Sequence, residues 1–128
     1  MTSEIQKFEW KAFLDKLSRD AADWESRVLV MNDREGVQIL SEGLPFNGVT
    51  LDEKGGKTVV ELLIGSGTEN HQTHNIKEPV KVAFEPVAKG PAGTLDIEDV
   101  SGTKTLITLI GPMPVLAVYT RTEMVAVL

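Results

Sequence analysis

Two histidines, His71 and His74, are the only ones in the chain, and Glu69 stands just ahead of them. Imidazole titrates near physiological pH and binds divalent metals through a neutral ring nitrogen. This segment is therefore where metal binding or proton transfer would reside. Spacing sets the condition. On a regular strand, residues three apart point to opposite faces, so the two rings could not grip one ion. They converge only if the segment turns, which Gly65-Ser66-Gly67 just upstream permits. With that turn, His71, His74 and Glu69 form a candidate metal site. Without it they are partly exposed strand or loop side chains.

Other chemistry is less well marked. Asp96 and Glu98 share a strand face, but they alternate with Leu95 and Ile97, the pattern of a solvated face. An acid–base pair needs one carboxylate in an apolar pocket and the other left wet. Gly65-Ser66-Gly67 follows a strand without completing a Walker, dinucleotide or nucleophile-elbow pattern, so it reads as a flexible turn. The chain has no cysteine, which excludes disulfides, thiolate ligands and cysteine nucleophiles. No motif calls for a cofactor, and the residues do not identify a small-molecule ligand.

The elements that must carry these residues change character near residue 25. Before it, Trp10, Phe13, Leu14, Leu17, Ala21 and Trp24 fall within an arc of about 100° at helical spacing. Lys11, Asp15, Lys16, Arg19 and Asp23 cover most of the remaining circumference. An amphipathic helix of about residues 7–23 is expected. Ser3 with Gln6 offers a capping box for an earlier start, and Asp15, Arg19 and Asp23 lie four apart as exposed ion-pairing partners.

Beyond it the period is two. Val80, Val82 and Phe84 alternate with Lys81, Ala83 and Glu85, and Leu95 and Ile97 with Asp96 and Glu98, so these are half-buried strands. Residues 27–31, 58–64 and 105–110 are apolar on both faces and belong at the middle of a sheet or beneath the helix. Shorter strands are expected at 37–40, 49–53 and 71–76. Lys54-Gly55-Gly56-Lys57 suits a two-residue hairpin turn, residues 32–36 and Ser101-Gly102 mark two more, and residues 90–93 make a looser connection. These spacings leave no room for crossover helices. The expected fold is α+β: an N-terminal amphipathic helix packed on a strongly twisted, largely antiparallel sheet or partly open β-barrel.

The 128 residues suit one domain, with the helix at about 7–23 and the β-rich region at about 25–128. A net charge of −6, with the thirteen basic residues scattered, argues against nucleic-acid partners. The first residues carry no apolar run of a signal peptide, and no apolar run approaches a membrane span. A cytoplasmic protein is expected. From Thr105 onward only Arg121 and Glu123 are charged, and residues 115–119 and 124–128 are apolar. Apolar character that close to a terminus needs a burial partner. This tail either completes the sheet or forms a homo-oligomer interface.

Several segments together resemble a family of short bacterial proteins, a domain of unknown function. They are Glu9-Trp10-Lys11-Ala12-Phe13-Leu14-Asp15 with Ser18-Arg19 and Trp24, then Gly43-Leu44-Pro45-Phe46 with Gly48-Val49. His71-Gln72-Thr73-His74-Asn75-Ile76 and the stretch from Asp99 to Gly102-Thr103-Lys104-Thr105-Leu106 follow in the same order. The likeness covers roughly residues 5–110. Asp20-Ala21-Ala22-Asp23 departs from it, since many relatives carry a histidine there. The resemblance implies a small bacterial domain and supplies no catalytic residue. Two functions follow as expectations: a non-enzymatic binding or interaction module that self-associates, or a small metal-dependent enzyme or hydrolase built on His71 and His74.

Overall fold

A computed structural model describes residues 2–66 and 71–113. The chain opens with a two-residue strand, β1 (Ser3–Glu4), a 3-10 turn over Lys7–Glu9 and the helix α1 (Trp10–Asp20). Seven strands follow: β2 (Trp24–Asn32), β3 (Gly36–Lys54), β4 (Lys57–Ile64), β5 (Gln72–Lys77), β6 (Pro79–Pro86), β7 (Gly93–Asp99) and β8 (Lys104–Pro112). All pairings are antiparallel, in the order β1-β6-β7-β8-β2-β3-β4-β5. Among the described residues β1 and β5 end the sheet without pairing to each other, so it does not close into a barrel. The α+β expectation holds in its open-sheet form.

The helix is shorter than its amphipathic pattern. Ser3 pairs with Phe84 on β6 instead of capping a helix, and Gln6 makes no side-chain cap bond. At the other end Asp23 takes a left-handed conformation (φ 64°) and its N–H bonds to the carbonyl of Phe46. Trp24 therefore starts β2 rather than ending the helix. The exposed pairs on α1 are Lys11–Asp15 and Lys16–Asp20, not the Asp15–Arg19–Asp23 series.

β3 is the long element that shapes the sheet. Two short strands were expected at 37–40 and 49–53, yet residues 36–54 run continuously. Its first half pairs with β2 and its second half with β4, the register shifting between Phe46 and Gly48. Asn47 ties this corner to β4 by donating to the carbonyl of Gly65 at 2.9 Å. The β3–β4 turn has the positive φ at both central glycines that a two-residue hairpin demands (Gly55 60°, Gly56 79°).

The sheet then curls. β5 and β6 are far apart in strand order, yet Glu78 alone separates them in sequence. Glu78 adopts a left-handed conformation (φ 54°), donates to Thr58 and accepts from Val100. The inner face gathers Leu14 and Leu17 from α1, Leu62 and Ile76 from β4 and β5, and Leu95 and Ile107 from β7 and β8. Each such side chain contributes about 1.5–3 kcal/mol by leaving water.

α1 is fastened to this face by Ser18 as well as by packing. Its hydroxyl accepts the Val49 N–H at 2.8 Å and shares its proton between the carbonyls of Leu14 and Val49, both at 2.8 Å. Phe13 meets Phe84 edge-to-face at 5.7 Å.

Candidate functional site

Alternation along β5 decides where the histidines go. Ile76 is buried on the inner face, so His74, two residues earlier, points inward beside its partner Leu62 on β4. The curl brings His74 Nε2 to 3.5 Å from Thr105 Oγ1 on β8. Half-burial lowers its pKa from the ordinary 6.5, because desolvation disfavours the imidazolium. The ring is therefore neutral at pH 7.

His71 stands one residue ahead of β5 and is exposed. Glu69 lies outside the described residues, as do the apolar stretches 115–119 and 124–128 of the expected tail interface. The structure thus joins His74 to Thr105 rather than to a second imidazole. Among the described residues no three His, Cys, Asp or Glu side chains gather as a metal set. Thr105 itself is only 1% exposed, which leaves the hydroxyl little access to a substrate.

Asp96 and Glu98 lie on the outer face of β7, as their alternation predicts, and Glu98 pairs with Lys104 at 4.0 Å. Asp96 departs from a fully wet face, for its Oδ1 is shut off from solvent without a hydrogen-bond partner. A hollow of about 350 Å³ lies against β4 and β5, lined by Lys54, Lys57, Val59, Asn75, Lys77 and Glu78. Two of its three lysines are matched by carboxylates: Lys54 pairs with Glu61 at 3.3 Å, and Lys57 with Glu78 at 3.5 Å.

The surface that sequence reasoning missed is the outer face of β3, β2 and β8. Ile39, Leu29 and Leu106 form one cross-strand row, and Val37 and Met31 sit beside them in the next. Val37 is 58% and Ile39 63% exposed. The signal was present, since residues 27–31 and 105–110 are apolar on both faces. Which face would remain uncovered depends on where α1 and the β4–β5 pair settle, and periodicity does not encode that.

These features define the class: a small α+β protein in which one helix and a curled, open antiparallel sheet enclose a single apolar core. Residues 1–117 match a family of unknown function (DUF5335). The chain belongs to that family. No curated protein matches the chain, and no solved structure does. Among the described residues, no helix is long and apolar enough to cross a membrane.

Proposed function

We propose that this protein is a non-enzymatic interaction module whose working surface is the outer face of β3, β2 and β8. One observation carries the reading: Val37 and Ile39 stand mostly exposed beside Leu29, Met31 and Leu106 in one contiguous apolar block. Singly exposed apolar residues are ordinary, whereas contiguous ones mark contact surfaces. The partner this face fits is a protein surface with an apolar centre. The low charge of residues 114–128 in the sequence supports an interaction role as well.

The test is methyl NMR of the full chain at low micromolar concentration, with a soluble paramagnetic agent added. Methyl signals of Val37, Ile39, Leu29 and Leu106 are expected to bleach well ahead of Ile107 and Leu62. If the outer methyls are as protected as the inner ones in a monomer, the chain covers this face itself and the reading fails.

A further inference from the structure

The two ends of the sheet are finished differently. An edge strand presents unpaired N–H and C=O groups, and folds blunt such edges with short strands, proline and charge. The β6 edge has these devices: β1 pairs with Phe84 and Ala83, Ile5 donates to Val82, and Pro79 and Pro86 close the two ends of the strand. β5 lacks them. It is six residues long, contains no proline, pairs with β4 in unbroken register and carries one formal charge, on Lys77. Among the described residues β4 is its only strand partner.

The register fixes which groups are open. Glu78 donates to the Thr58 carbonyl at 3.0 Å, which makes those two a hydrogen-bonded pair. Antiparallel ladders alternate hydrogen-bonded and open pairs. Ile76, His74 and Gln72 therefore turn their N–H and C=O to β4, while Thr73, Asn75 and Lys77 turn theirs to the free edge. All three of the latter are exposed. Asn75 and Lys77 also line the hollow of about 350 Å³ against β4 and β5. There Lys54 and Lys57 already hold Glu61 and Glu78, whereas Lys77 makes no ion pair among the described residues. Its neighbour on β4 is Val59, an apolar side chain only 7% exposed.

We infer that the free edge of β5 is a docking site for an extended acidic segment of a partner protein, which adds to the sheet as an antiparallel strand. The inference is independent of the apolar outer face of β3, β2 and β8. The backbone groups of Thr73, Asn75 and Lys77 supply the hydrogen bonds of strand addition. Residues directly opposite in such a pair share a face. A carboxylate opposite Lys77 therefore meets the one unmatched ammonium of the hollow. An apolar side chain opposite His74 covers the exposed part of that half-buried ring. The segment that fits alternates acidic and apolar residues, and a basic one would set like charges across the pair.

The experiment follows amide exchange by NMR in the full chain. A blocked hexapeptide of alternating valine and glutamate is titrated in, with its valine–lysine counterpart as control. In the free chain the amides of Thr73, Asn75 and Lys77 should exchange far faster than those of His74 and Ile76. At ten times its Kd the glutamate peptide should slow them about tenfold, at a concentration where the lysine peptide has no effect. Lys77→Glu should raise the glutamate peptide's Kd about tenfold and reverse the preference. Asn75→Pro should abolish binding yet keep the far-ultraviolet dichroism of the parent, because the N–H it removes faces the free edge. If Asn75→Pro loses its fold, Lys77→Glu decides alone.

Equal binding of the two peptides overturns the acidic partner, and so does a Lys77→Glu chain that keeps the wild-type preference. Slow exchange at Thr73, Asn75 and Lys77 at every concentration of the free chain overturns the docking site, since the chain's own residues then hold the edge. Protection that grows with chain concentration overturns it in favour of a second copy. So does a glutamate peptide that slows no β5 amide at millimolar concentration, with no partner left in its place. None of these results moves the methyl test of the outer face.

Discussion

Leu106 and Ile107 are neighbours on β8, similar in size and composition, yet they live in different surroundings. Ile107 is fully buried against the layer built by α1, β4 and β5, while Leu106 sits on the outer face between Leu29 and Asp96. The same contrast runs through β2, where Val28 is buried and Leu29 is only partly so. Apolar residues on both faces do not mean that both faces are enclosed within one chain. One face is the core, and the other is left partly exposed, with Val37 and Ile39 mostly in solvent.

Substitutions on β8 should separate the two faces most sharply. Ile107→Ala is expected to cost about 4 kcal/mol in urea unfolding, since it removes a large side chain from a closed layer. Leu106→Ala should cost about 1 kcal/mol or less in the monomer. Equal losses would mean that the outer face is as enclosed as the inner one, and the contrast would collapse.

Ser18→Ala tests how the inner face acquired its cover. Val49 would lose the acceptor for its N–H, an orphan inside the helix–sheet junction, at about 2 kcal/mol. Ser18→Thr keeps the hydroxyl and should recover part of that stability. A neutral Ser18→Ala would show that packing alone holds α1 in place.

The smallest expected effect concerns pH. His74 titrates below 6.5 in the folded chain and near 6.5 when unfolded, so the unfolded state binds protons first. Stability should be flat above that value and fall as the pH drops through it toward the folded pKa. Comparing the urea midpoints of wild type and His74→Gln along a pH series isolates this contribution from the carboxylates. Parallel curves for the two proteins would remove His74 as its source.

His74 also shows how far local reading reaches. Its spacing from His71 said that a regular strand would part the two rings, but β5 begins at Gln72, so His71 stands just outside that strand. Its contact with Thr105 was not legible. The two residues are thirty-one positions apart, and they meet only because the corner near Gly48 turns β4 and β5 back over the inner face. The same corner explains why β3 exceeded expectation. Gly43, Pro45 and Gly48 read locally as breaks, but Phe46 pairs with β2 and β4 at once, and the handover there carries the strand through them. The helix fell short for the opposite reason. Trp24 matched the helical face, and pairing with Phe46 and Pro112 drew it into the sheet instead.

What the sequence by itself determined is periodic: a helix with one apolar stripe, strands of period two, hairpins where Gly55-Gly56 and Gly102 permit positive φ, and an antiparallel arrangement forced by short connections. These follow from steric preferences and from burial within a few residues along the chain. Tertiary structure decided the strand order, the curl that seats His74 on Thr105, and above all which side of β2, β3 and β8 would be sealed. The reason is physical. Alternation assigns side chains to two faces, but which face is covered depends on long-range packing that joins α1, β4 and β5 to strands far away in sequence.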